Sequence, residues 1–157
     1  MNKFEKISLF LVRFSLGWLF VYSGITKILN PEWSSIKYLQ GAKMFTGLFA
    51  WMTQPNILPI INAVNEWGQL LLGISLILGI AVRLSTTLGA ILMALYYVAL
   101  PFPYPNPQSF IVDQHIIYAL IMIYLGASNS GKAYGLVGWC SKLPICSKFP
   151  RLRKLIG

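Results

Sequence analysis

The sequence predicts an all-α fold: an integral membrane four-helix bundle with an interfacial helical segment between spans one and two. Three observations carry that expectation. Of 157 residues, 56% are hydrophobic and only 11% charged, against about 45–50% and about 25% in soluble domains. Apolar stretches of about 20 residues, the length that crosses a hydrocarbon core about 30 Å thick, recur between helix breakers. An excess of 13 Lys and Arg over four acids is shared unequally between the two ends of those stretches, as the positive-inside rule requires.

The first span runs from about Lys6 to Leu29 and stops at Asn30-Pro31. It is too long for a signal peptide and lacks a small-residue cleavage site, so an uncleaved span is expected. The stretch from Pro31 to Asn56 carries Trp33, Ile36, Leu39, Met44, Phe45, Leu48, Trp51 and Met52 at roughly helical spacing. Such a segment lies in the headgroup region, either as an anchoring collar or as a lid over the bundle mouth. The second span starts at Ile57 or Pro59, a residue tolerated in a first turn, and reaches about Val82. A third begins after Arg83, with Ser85 placed to cap it, and ends near Leu100. Pro101, Pro103, Pro105 and Pro107 then forbid helix and impose an extended connector. The fourth and shortest span runs from about Asp113 to Gly126. Residues 1–131 thus form a four-span domain, and residues 132–157 a basic tail attracted to anionic lipid.

Ten of the 13 cations fall at the end holding both termini, and only Lys27, Lys37 and Lys43 at the other. That places both termini in the cytoplasm and the chain in the cell (inner) membrane. The cations are dispersed between greasy stretches, which excludes a nucleic-acid partner. Cys140 and Cys146 lie in the tail at a spacing that fits neither a dithiol redox pair nor a zinc site. One histidine and no CxxC leave no bis-histidine haem site, no iron–sulfur cluster and no metal centre. No Gly-rich phosphate loop or nucleophile elbow appears.

Ionisable groups inside a bilayer are costly, so each is a functional candidate. Arg13, Gly17, Phe20, Gly24 and Lys27 share one face of the first span. The glycines admit a neighbouring backbone, while Arg13 and Lys27 stand about 21 Å apart at opposite ends. In the second span Asn62, Glu66, Gln69 and Gly73 form a polar stripe, with Asn65 adjoining, that must face the bundle. A purely structural Lys27–Glu66 ion pair is the plainer alternative. The fourth span opens with Asp113-Gln114-His115. Asp113 as the N-cap, with Val112 and Ile117 as a hydrophobic staple, would leave His115 heading the inward face. The candidate chemistry therefore sits at one end. Glu66, Asp113 and His115 are candidates for proton exchange, and Lys27, Gln69 and Gln114 for substrate binding, with Tyr22, Tyr96 and Tyr118 nearby. Arg13, Gly24 and Arg83 are candidate structural positions.

Three segments carry a resemblance. "LVRFSLGWLFVYSGITKILNP", "NEWGQLLLGISLILGIAVRLSTTLGAILM" and "VDQHIIYALIMIYLGASNSGKAYGL" are similar to the opening, central and closing stretches of the DoxX/DoxD family, over about residues 8–138. The resemblance implies a four-helix membrane protein whose polar family positions match Arg13, Gly24, Lys27, Glu66, Arg83, Asp113 and His115. Some members are the membrane subunit of thiosulfate:quinone oxidoreductase. It implies a quinone-reactive subunit of a membrane redox system, with no covalent cofactor, quinone as diffusible ligand, and the bilayer and a separate soluble redox subunit as partners. A non-catalytic anchor for such a partner is the alternative, and association with further copies of the chain stays open.

Overall fold

A computed structural model describes residues 1–103 and 105–136 of the chain. Six α-helices follow in order: α1 (Lys3–Ile28), α2 (Ile36–Gln40), α3 (Thr46–Met52), α4 (Leu58–Leu78), α5 (Val82–Ala99) and α6 (Gln114–Ala127). A 3₁₀ turn, Ser130–Lys132, closes the series. The all-helical expectation holds. α1, α4 and α5 are long and apolar enough to cross a membrane, and α6, at 14 residues, is shorter. Its rise of about 21 Å falls below the about 30 Å of a hydrocarbon core. Large apolar side chains such as Leu11, Trp18, Val64, Leu71, Leu120 and Ile123 point away from the bundle. An apolar surface of that extent belongs against lipid.

Close backbone approach holds the bundle together. A Cβ built on Gly73 would lie 2.5 Å from Val21 N and 2.6 Å from Gly17 O, and one on Gly24 2.7 Å from Leu70 N. Glycine at both positions lets α1 and α4 cross with backbones touching, where dispersion between helices replaces the hydrophobic drive that lipid cannot supply. α5 pairs mainly with α6, where Gly89 receives the Met122 thioether and Gly126 receives Thr86. Phe20, Leu76, Val82, Met122 and Leu125 fill the core between the two pairs.

Local chemistry moves some predicted boundaries. Gly79, at φ +69°, stops α4 in a left-handed cap, and Ala81, at φ +52°, launches α5 at Val82. Ser85 is therefore not a cap. Its hydroxyl lies inside α5 and donates to Ser75 Oγ at 2.6 Å, and Ser75 in turn donates to Ile80 O. The four-proline connector also departs from an extended run. The Phe102–Pro103 bond is cis, Asn106 and Ser109 form an isolated antiparallel bridge, and Ile111 N donates back to Pro103 O at 2.8 Å. Proline excludes helix but leaves turns open.

The end of the bundle away from the N-terminus, the distal end, is covered by residues 29–57. There Leu39, Ala42 and Phe49 pack with Ala99, Met52, Leu58 and Ile61, and Lys43 N donates to Ala99 O at 3.1 Å. Phe45, Leu48 and Trp51 stay exposed on the other side. The segment thus covers the bundle with one face and offers the other to its surroundings.

At the opposite end Arg13 is fully buried. One guanidinium nitrogen donates to Ser130 O, while Nε and Nη2 have no hydrogen-bond partner among the described residues. The guanidinium lies against Gly79, beside the C-terminal carbonyls of α4 and just past the end of α6. A cation is favoured near helix C-terminal ends. Cys140, Cys146 and the basic run from Lys142 to Lys154 lie outside the described residues.

Candidate functional site

A cavity of about 300 Å³ opens at the distal end, with walls from α1, α2, α4, α5, α6 and residues 33–35. α1 supplies Ser23 and Lys27, one turn apart and flanking Gly24, whose missing side chain brings α4 close. Lys27 Nζ therefore reaches two amides on the neighbouring helix, donating to Asn65 Oδ1 at 2.8 Å and to Gln69 Oε1 at 2.5 Å. Ser23 Oγ donates to the same Gln69 oxygen at 2.9 Å.

Those contacts orient both amides. With their oxygens turned to the ammonium, their NH₂ groups point to Tyr96 on α5. Asn65 Nδ2 donates to Tyr96 Oη at 2.5 Å and Gln69 Nε2 at 3.0 Å. A hydroxyl has two lone pairs and one proton. Both lone pairs of Tyr96 are thus engaged, and its O–H has no acceptor among the described residues. An ammonium has three N–H groups, of which the amides take two. The indole of Trp33 stands 5.0 Å from Nζ, a cation–π distance.

α6 begins at this cavity. Asp113 is its N-cap, with Oδ1 accepting from His115 N at 3.0 Å and Ile116 N at 3.2 Å. Its other oxygen lies 2.5 Å from His115 Nδ1. One buried carboxylate thereby ends the helix and holds the imidazole, although the two residues are only two apart. A carboxylate only accepts, so the ring proton sits on Nδ1 and Nε2 is left free. The imidazole stacks edge-to-face on Tyr96 at 5.8 Å and lines the cavity.

Tyr38, on α2, closes the remaining side by donating to the Tyr96 carbonyl at 2.6 Å and stacking edge-to-face on its ring at 5.5 Å. Partial burial, then the neighbouring Tyr96 and Asp113, push the Tyr38 phenol up to about 12. It stays a neutral donor at physiological pH. Ser35 joins this wall through Asn62, whose Oδ1 accepts from Ser35 Oγ at 2.6 Å and Ser35 N at 3.0 Å.

Of the candidate residues, Lys27, Gln69 and His115 line the cavity, and Asp113 supports His115. Glu66 does not line it, and among the described residues the one ion pair is His115–Asp113, not Lys27–Glu66. The buried face of α4 runs through Asn65, Gln69, Leu72, Gly73 and Leu76. At about 100° per residue Glu66 stands some 80° from the centre of that face. Gln114 is exposed in the first turn of α6. Arg13 and Arg83 belong to the opposite end, where Arg83 Nη2 donates to Asn129 Oδ1 at 2.7 Å. Tyr22 is exposed and Tyr118 packs against the core. Sequence reasoning left out Ser23, Ser34, Ser35 and Tyr38. Only Ser23 carried a usable signal, one helical turn before Lys27.

No curated protein matches the chain, and no solved structure does. The DoxX family model matches residues 8–101, which takes in most of α1 and the whole of α2 to α5. α6, with Asp113 and His115, follows the matched stretch. The chain belongs to the DoxX family and is a multi-pass membrane protein of that family.

Proposed function

We propose that the chain is a quinone-reactive subunit of a membrane redox system, of the type that passes electrons from sulfur compounds such as thiosulfate to quinone. One observation carries the reading. In a cavity set in a membrane bundle, a Lys27 N–H and the Tyr96 O–H have no hydrogen-bond acceptor among the described residues and share walls with His115, whose free nitrogen is Nε2. Two donors and a proton carrier suit a ring bearing carbonyl oxygens that become hydroxyls. A cavity of about 300 Å³ is at the lower end for small-molecule sites and admits such a ring.

Reduction of a quinone to its quinol consumes two electrons and two protons. The electrons come from a separate soluble redox partner. Lys27 and Tyr96 hold the carbonyl oxygens and stabilise negative charge as it builds. Water at the distal mouth protonates His115 at Nε2 and the imidazolium passes that proton to a ring oxygen, once for each of the two protons, with Asp113 keeping its bond to Nδ1 throughout. The positive-inside pattern sets this mouth on the outer face, with both termini cytoplasmic in the cell membrane.

The test is to purify the full chain with its native partners in mild detergent, identify extracted quinone, and assay thiosulfate-dependent quinone reduction. Co-purified quinone, lost together with activity in Lys27→Met, is expected. Absence of quinone with unchanged reduction in Lys27→Met refutes the reading. A tightly held partner and tolerance of His115→Ala would then favour the non-catalytic anchor.

A further inference from the structure

A second, apolar chamber of about 110 Å³ lies beside the polar cavity. Its own walls come from Leu39 on α2, Phe49 and Met52 on α3, Ile61 on α4 and Leu92 on α5. Ser35, Tyr38, Asn65 and Tyr96 line both spaces. The two spaces therefore share one wall, in which the stacked Tyr38 and Tyr96 rings stand. The remaining wall residues, Val64 on α4 and Leu95 on α5, are exposed on the apolar flank of the bundle. α4 and α5 are also packed less closely than α1 with α4 or α5 with α6.

The apolar chamber thus lies between the bilayer-facing flank at α4 and α5 and the Tyr38–Tyr96 wall of the cavity that holds Lys27. The chemistry changes in that order from hydrocarbon to hydrogen-bonding groups. A molecule matching both parts has a polar ring at one end and a long apolar chain at the other.

We propose that the chamber is the chain subsite of this protein's ligand: the isoprenoid chain of a quinone leaves the polar cavity past Tyr38 and Tyr96 and exits to lipid between Val64 and Leu95. This rests on the quinone reading of the polar cavity. It assigns the interfacial segment a role as the roof of a lateral portal, with Leu39, Phe49 and Met52 in contact with the chain. A portal in the flank suits a ligand that is already dissolved in the bilayer. In lipid the chain gains little hydrophobic free energy on entry, so the chamber governs route and orientation more than affinity.

The experiment uses the full-length protein in lipid nanodiscs and two photoreactive quinones, one with the reactive group on the ring and one with it on the chain next to the ring. Adducts are mapped by peptide mass spectrometry. The ring probe is expected at Trp33, Tyr38 or His115, and the chain probe at Phe49, Met52, Leu92 or Leu95. Val64→Trp and Leu95→Trp, which fill the portal from opposite walls at exposed positions, should each lose the chain adducts. The ring adduct, measured with a chainless quinone, should remain and reports that the variant is folded. Chain adducts elsewhere with the ring adduct in place, or chain adducts undiminished in both variants, overturn this inference and leave the polar site standing. A ring probe that labels no residue of the polar cavity overturns the quinone reading itself.

Discussion

Asp113 serves two neighbours at once, and two substitutions separate its tasks. Asp113→Ala removes the cap from His115 N and Ile116 N and the carboxylate from His115 Nδ1. Loss of an N-cap costs about 1 kcal/mol, and a hydrogen bond to a charged group contributes about 1.5–3 kcal/mol. Their sum, about 2.5–4 kcal/mol, is a ceiling, because bonds to one side chain are not independent. Asp113→Asn keeps an oxygen for the two backbone N–H groups and turns its NH₂ towards Nδ1. The cap survives, a neutral bond replaces a charge-assisted one, and the cost should be about 1 kcal/mol. The Asn NH₂ is a donor, so the imidazole proton must move from Nδ1 to Nε2. The chain has a single histidine, so ¹⁵N NMR of selectively labelled protein in detergent reads one imidazole without ambiguity. The expected result is Nδ1–H in the parent, Nε2–H in Asp113→Asn, and thermal stability in the order parent, Asn, Ala. An Asn variant as unstable as Ala, or one that keeps its proton on Nδ1, would refute the shared-carboxylate geometry.

Further outcomes follow from the packing. Gly73→Ala places a Cβ 2.5 Å from Val21 N and 2.6 Å from Gly17 O, backbone atoms that cannot rotate away. A loss of about 1–3 kcal/mol is expected from forcing the helices apart, and an unchanged melting temperature in detergent would contradict the crossing. Gly79→Ala sets a side chain at φ +69° with its Cβ 2.7 Å from Gly135 Cα and 3.0 Å from Arg13 Cζ. The left-handed conformation alone costs about 1–2 kcal/mol, so equal stability in chemical denaturation would argue against this turn. Tyr38, raised from 10.0 to about 12, remains protonated in the fold where the unfolded chain ionises. Its contribution is fully present below pH 10.0 and is lost as pH rises towards about 12. Tyr38→Phe should flatten that alkaline decline, and an identical pH profile would remove the assignment.

Much of the fold is legible along the chain because helix, span and breaker are short-range properties. Asn30-Pro31 and the four prolines after Leu100 announce helix ends from composition alone, although the turns of the proline connector are not legible. Ser85 shows the limit: a serine near a helix start reads as a cap, yet its hydroxyl is taken by Ser75 on the preceding helix, a contact made only when α4 and α5 meet. The candidate site divides in the same way. Lys27, Gln69, Asp113 and His115 stand out because polar groups are rare in apolar helices. Glu66 stands out equally, yet it sits half-buried at the edge of the buried face of α4 and does not line the cavity, a difference set by where Gly24 and Gly73 let the helices touch.

The sequence by itself determined that this chain belongs in a membrane, which stretches are apolar helices and which polar groups they carry. Hydropathy and backbone sterics act locally and need no partner. Only the tertiary structure decided which of those groups share a space. That choice rests on the azimuth of each helix, fixed by backbone contact at glycines distant in sequence, and on the interfacial segment folding back to bring Trp33, Ser35 and Tyr38 over a cavity begun by α1 and α4.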